Sequence, residues 1–228
     1  MAKREIVIAL AGNPNSGKTT VFNNLTGAKQ HVGNWPGVTV EKKEGSYSFR
    51  GYSIKVVDLP GVYSLTAYSP DEVVARNFVI DEKPDVVVDI VDASNLERNL
   101  YLAVQIMEMG APLIIALNMM DAAESRRYKI DIEAISKEMG VSVIPMVANR
   151  NKGTDELMEE IISVAERKTE ASGVRIEYGR EVENEISRLE EAISESALAS
   201  KYSPKWLAVK LLEGDEEVIK KFEEAKSG

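Results

Sequence analysis

Gly12-Asn13-Pro14-Asn15-Ser16-Gly17-Lys18-Thr19 fits the pattern G-x-x-x-x-G-K-[ST]. Its glycines let the backbone curl until successive N–H groups point inward, and such a nest at the start of a helix attracts phosphate. Lys18 would neutralise the outer phosphates of a nucleotide, and the Thr19 hydroxyl would fill one position around Mg²⁺. The loop Gly12–Thr20 follows the apolar run Ile6–Ala11 and opens a helical pattern, which is where this chemistry must stand. The bland alternative is a glycine-rich turn, and that context disfavours it.

Asn118-Met119-Met120-Asp121 closes a second apolar run. A carboxylate at the end of N-x-x-D accepts from both N1–H and the exocyclic amine of guanine. Adenine offers no such pair of donors on that edge, so a buried carboxylate would reject it. Lysine often takes the second position of this motif in GTPases; here Met119 stands there, and its thioether can cover a ring face. Asp58-Leu59-Pro60-Gly61 ends a third run. Asp58 would hold Mg²⁺ through water, while the Gly61 amide would reach a γ-phosphate. Between these motifs lies Gly33-Asn34-Trp35-Pro36-Gly37-Val38-Thr39-Val40-Glu41, with Thr39 as a second hydroxyl for Mg²⁺ that engages only with a triphosphate. An ordinary edge-strand threonine is the alternative. His31 is expected at an exposed loop tip, and Trp35 is either a mobile switch aromatic or a packing residue. Val147-Ala148-Asn149 would present the Ala148 amide to guanine O6.

Positioning these groups requires an α/β fold. Strands are expected at Ile6–Ala11, Gly45–Phe49, Ser53–Asp58, Val86–Val91, Leu113–Asn118 and Val141–Pro145, several apolar enough to be covered on both faces. Helical patterns occupy Gly17–Leu25, Asp71–Ile80, Leu96–Met109, Ile132–Met139 and Thr154–Lys168. The alternation predicts a mostly parallel six-stranded sheet with helices on both faces. Arg50-Gly51-Tyr52 is short enough to make one strand antiparallel. Beyond Lys168, Ala171-Ser172-Gly173 reads as a linker to a small all-helical domain. Val182, Ile186, Leu189, Ile193 and Leu198 mark its apolar face, and Ser203 caps a helix at Pro204. The expected domains are 1–168 and 169–228.

The 228 residues include no cysteine and one histidine, which removes thiolate chemistry, disulfides and a Ser-His-Asp triad. With 28 Lys+Arg against 37 Asp+Glu, the net charge is -9, which disfavours nucleic acid as a partner. Met1–Glu5 is too short for a signal peptide, and no apolar run approaches the roughly 18 residues of a membrane span. The piece is therefore expected to be soluble.

Taken together, Gly12–Thr20, the Asn34-Trp35-Pro36-Gly37-Val38-Thr39-Val40 segment, Asp58–Leu65 and Asn118–Asp121 resemble the cytosolic N-terminal region of the FeoB family of prokaryotic ferrous-iron transporters. The resemblance covers about residues 3–168. It implies a Ras-like P-loop GTPase domain binding GTP/GDP and Mg²⁺, followed by a helical domain that favours GDP. A transmembrane permease on the same polypeptide is also implied, with the piece at the cytoplasmic face of the inner membrane and self-association left open. Val62 replaces the glutamine that Ras-like enzymes often carry after D-x-x-G, so water would be aligned by backbone around Gly37 and Val38. Similarity to potassium-activated GTPases implies that Asn15 helps hold K⁺ beside the β/γ bridge, with carbonyls near Asn34 and Trp35. Two other functions share these motifs: a soluble GTPase of ribosome assembly or tRNA modification, and a nucleotide-gated binding module with incidental hydrolysis.

Overall fold

The computed structural model describes residues 4–27, 29–167 and 176–227. Its strands are β1 (Glu5–Gly12), β2 (Gln30–Asn34), β3 (Glu41–Phe49), β4 (Tyr52–Asp58), β5 (Val86–Asp92), β6 (Leu113–Asn118) and β7 (Ser142–Pro145). Among the described residues they form one sheet in the order β2-β3-β4-β1-β5-β6-β7. All pairings from β4 through β7 are parallel, and β3 alone runs against its neighbours. The expected α/β class with one antiparallel strand stands; the number of strands is seven, not six. The additional strand, β2, is exposed at every residue and holds a single β-branched side chain. No sequence pattern marks it. Its strand character comes from the ladder that β3 offers, from Asn34↔Glu41 to Gln30↔Gly45.

The central strands are apolar without alternation because both faces are covered. Ile8, Leu10, Val88 and Ile90 pack with Val21, Phe22 and Leu25 of α1 (Lys18–Thr26) and with Leu157, Met158 and Ile161 of the later helix Thr154–Arg167. The alternate positions Ala9, Val87 and Val91 are equally inaccessible. Burying a side chain such as Phe22 contributes about 2–3 kcal/mol. This two-sided core fixes the C-terminal ends of β1, β4, β5 and β6 on one side of the sheet, where Gly12–Thr19, Asp58–Gly61 and Asn118–Asp121 lie.

Four further helices follow in order: α2 (Pro70–Asn77), α3 (Leu96–Glu108), α4 (Met120–Ser125) and α5 (Ile132–Met139), with α6 at Thr154–Arg167. Ser69 opens α2 through a capping box: its Oγ accepts from the Glu72 amide at 3.2 Å, while Glu72 accepts from the Ser69 amide at 3.3 Å. The expected single helix Asp71–Ile80 is instead α2 followed by a π-helical turn, Phe78–Glu82.

The described residues fall into two compact units, 4–107 with 111–167, and 108–110 with 176–227. The second unit contains α7 (Arg180–Ser194), α8 (Pro204–Leu212) and α9 (Glu216–Ser227). The Ser203 hydroxyl accepts from the Trp206 amide at 3.4 Å, the cap expected before Pro204. Ile186 and Ile193 are buried, Leu189 and Leu198 half-buried, but Val182 is exposed and does not belong to the apolar face. Lys168 and the proposed linker Ala171-Ser172-Gly173 lie outside the described residues. Among the described residues no helix is long and apolar enough to cross a membrane.

Candidate functional site

β1 delivers the chain into the loop at Gly12, and α1 carries it away from Lys18. Inside the loop, the Ser16 amide donates to the Asn13 carbonyl at 3.1 Å, and Asn15 adopts a left-handed φ of 68°. Gly17 has φ 92°, and a Cβ there would stand 2.2 Å from Asn118 Nδ2, so both conformation and space require glycine. Asn13 and Ser16 are buried, yet Asn13 Nδ2, Asn13 Oδ1 and Ser16 Oγ have no hydrogen-bond partner among the described residues. Orphaned polar atoms of this kind are costly in a folded interior. Here they cluster where the amides of α1 begin, a surrounding suited to an anionic, hydrogen-bonding group. Pro14 and Asn15 are exposed at the rim, as is Thr19, and Thr20 is half-buried on α1.

Asn118, at the end of β6, acts as a brace. Its Nδ2 donates to the Ser16 carbonyl at 2.9 Å and its Oδ1 accepts from the Ala148 amide at 2.9 Å. Asn24 of α1 donates to the Ala148 carbonyl at 2.7 Å, so loop, helix and the turn Ala148–Arg150 are tied together. In this arrangement the Ala148 amide is committed to Asn118. Asn149, next along the turn, is exposed, and Val147 is buried with both its amide and its carbonyl bridged to Lys152. Asp121 is a third exposed. Its Oδ1 accepts from the Ala122 amide at 3.0 Å and its Oδ2 lies 3.6 Å from Arg150 Nη2. Arg150 escapes sequence reasoning, because an exposed arginine in a loop carries no motif. Met119, at φ 61°, places its Cε 3.7 Å from the position of a Gly17 Cβ, covering the end of the loop.

A pocket of about 220 Å³ opens beside the loop, lined by Lys18, Thr19, Asp58, Leu59, Pro60 and Gly61 together with Val40, Glu41, Lys43 and Asp71. The Leu59 amide donates to the Leu10 carbonyl at 3.0 Å and the Val62 amide to the Gly12 carbonyl at 3.3 Å, pinning the Asp58–Gly61 turn against β1. Asp58 is nearly buried, and its carboxylate accepts from the Lys18 ammonium. A hydroxyl and a carboxylate are hard oxygen donors of the kind Mg²⁺ prefers, and the ammonium at Asp58 marks it as a place for a cation. Gly37, Val38 and Thr39 do not line this pocket. They occupy an exposed turn in which Trp35 donates its amide to the Val40 carbonyl at 2.9 Å and accepts from the Val38 amide at 3.3 Å. His31 is exposed, on the edge strand β2 and not at a loop tip.

The sequence model of the Ferrous iron transport protein B family matches residues 6–161, and that of the FeoB cytosolic helical domain matches residues 178–228. The chain belongs to the FeoB family. Over 217 residues it is 45% identical to the Fe(2+) transport protein A/Fe(2+) transporter FeoB fusion protein of Porphyromonas gingivalis, covering 93% of this chain and 26% of that one. The Fe(2+) transporter FeoB of Escherichia coli K12 is 43% identical over 217 residues, covering 93% and 27%. This FeoB chain therefore spans about a quarter of the length of these curated relatives. Among solved structures, the cytosolic domain of the T. maritima FeoB iron transporter in its GDP form superposes with a TM-score of 0.92 at 39% identity, covering 99% of this chain and 87% of that one.

Proposed function

We propose that this FeoB chain binds GTP and GDP and hydrolyses GTP slowly, as the nucleotide-operated part of a ferrous-iron transporter. The permease would lie elsewhere on the polypeptide, with this part at the cytoplasmic face of the membrane. The observation that carries the reading is the Asn118 brace. It ties the loop at Ser16 to the end of β6, three residues before Asp121, and to the turn at Ala148, so that one ligand with an anionic tail and a purine head would reach both the loop and Asp121. The net charge of -9 favours this role over an RNA-bound assembly factor. The experiment is calorimetry with GDP against ADP at matched concentration. GDP is expected to bind and ADP to give no measurable heat; equal heats would refute the guanine assignment.

In this proposal Gly12–Thr20 wraps the phosphates and Lys18 leaves Asp58 to pair with the outer phosphate oxygens. Thr19 and Asp58 would hold Mg²⁺, joined by Thr39, and the ion would neutralise charge on the β- and γ-phosphates. The Gly61 amide would hydrogen-bond the γ-phosphate, with the backbone of Gly37 and Val38 orienting water. Asp121 would read the N1–H and amine of guanine and Met119 would cover the ring; because the Ala148 amide is already bonded to Asn118, the next amide along the turn, that of Asn149, would face O6 in its place. Val62 is buried and has no polar side-chain atom, so no side chain at that position aligns water; turnover without a helper is expected to be slow. Asn15, exposed at the loop rim, would hold K⁺ through its amide oxygen. Hydrolysis should then be faster in KCl than in NaCl, and Asn15→Ala should abolish the difference while GDP still binds. Equal rates in the two salts would remove K⁺ from the mechanism.

A further inference from the structure

Trp35 sits at the junction of β2 and the exposed turn that carries Thr39. Its indole meets Phe78 edge to face, with centroids 5.5 Å apart and planes at 70°. Lys42 of β3 places its ammonium 4.7 Å from the indole centroid and also pairs with Glu44 at 2.8 Å. Phe78 is buried and begins the π-helical turn that ends α2, so this contact joins the turn at Thr39 to the helix that follows Asp58–Gly61. π-Helical turns recur at functional sites because they interrupt the regular helix ladder. The anchoring is not fully satisfied: the Trp35 Nε1 is buried with no hydrogen-bond partner among the described residues. An aromatic pair and a cation over the ring favour the seat, and a stranded indole N–H opposes it by a comparable amount. Such a contact is strong enough to select one conformation and weak enough to be given up.

We infer that Trp35 is a latch on the Asn34–Glu41 segment: seated on Phe78, it keeps Thr39 out of the pocket of Thr19 and Asp58. The coupling is short. The Trp35 amide bonds to the Val40 carbonyl, one residue beyond Thr39, and β2–β3 pairing ends at Asn34↔Glu41. Drawing Thr39 toward Thr19 and Asp58 breaks the Trp35–Val40 bond and removes the backbone support of the indole. A ligand that needs Thr39 in the pocket therefore competes with the Trp35–Phe78 contact, whereas one that does not need it leaves the latch closed. The inference rests on the guanine-nucleotide reading and adds to it the element that sets the preference between diphosphate and triphosphate.

The test uses the whole chain with GDP or with GMPPNP, each with Mg²⁺. The chain has two tryptophans, so the difference in emission between the intact protein and Trp35→Phe reports Trp35. GMPPNP is expected to shift that emission to the red and increase its quenching by acrylamide, and GDP to leave both unchanged. Phe78→Leu, which removes the ring but keeps apolar bulk, should tighten GMPPNP about fivefold with GDP affinity unaltered. Should that variant fail to fold, Lys42→Gln on the exposed side of the contact should act in the same direction by about twofold. Binding of GMPPNP by calorimetry without any change in Trp35 emission overturns the latch alone. Equal changes in GDP and GMPPNP affinity in the variants do the same. Absence of GMPPNP binding to the intact chain overturns the nucleotide reading, and the latch with it.

Discussion

Replacing Asp121 by Asn is expected to lower GDP affinity by about two to four orders of magnitude. A hydrogen bond to a charged acceptor contributes about 1.5–3 kcal/mol, and in the proposed site the carboxylate would make two of them to the same edge of guanine. Asparagine keeps one acceptor for N1–H and turns an N–H₂ group toward the exocyclic amine, so one bond is lost and a repulsion is added. The local fold should survive, because the contact of Oδ1 with the Ala122 amide needs only an oxygen and the residue is a third exposed. The same variant should gain affinity for xanthosine diphosphate, whose 2-oxo group accepts from the new amide. Titration calorimetry with both ligands is the measurement, and unchanged GDP affinity would remove Asp121 from the site.

The second large effect lies away from the ligand. Asp89, at the centre of β5 between Ala11 of β1 and Ile115 of β6, is fully buried. Neither of its oxygens has a hydrogen-bond partner among the described residues. Burial pushes its carboxyl up to about 8, from an ordinary 3.8. The native protein thus keeps a proton that the unfolded chain releases near pH 4. Between those two values the native state binds more protons than the unfolded one, so stability falls as pH rises and levels off above about pH 8. Asp89→Asn removes that penalty without changing shape. It is expected to stabilise the protein by on the order of 2–4 kcal/mol at pH 7, or about 5–10 °C in Tm for a chain of this size. The gain should be small at pH 5 and largest at pH 9. Thermal unfolding at the three pH values checks it, and a gain independent of pH would show that Asp89 is not held protonated.

Asp89 also illustrates where a one-dimensional reading stops. Val86–Asp92 is recognisable as a buried strand from its valines, yet the pattern cannot say that its one interior acid lacks a partner. That depends on what the packed structure brings to it, and among the described residues it brings no polar partner. Asn118 is similar. Its place in N-x-x-D is visible, but its task as a brace between Ser16 and Ala148 arises from residues 102 and 30 positions away. The edge strand β2 had no signal of its own because its residues bury nothing; only pairing with β3 defines it. Trp35 could not be assigned from sequence because Phe78, its ring partner, lies in a segment that reads as plain helix.

What the order of residues determined was local chemistry: the glycine-bearing loop Gly12–Thr19, the Asp58–Gly61 turn, the N-x-x-D sequence that ends at Asp121, and six strands, several of them apolar enough to be buried on both faces. Those features depend on spacing over fewer than about ten residues, the range over which backbone geometry is set by neighbours in the chain. The tertiary structure alone decided the pairing of Lys18 with Asp58, the approach of Arg150 to Asp121 and the seating of Trp35 on Phe78. Each joins segments far apart in sequence, and each exists only because packing of the sheet and its helices brings them within a few ångströms.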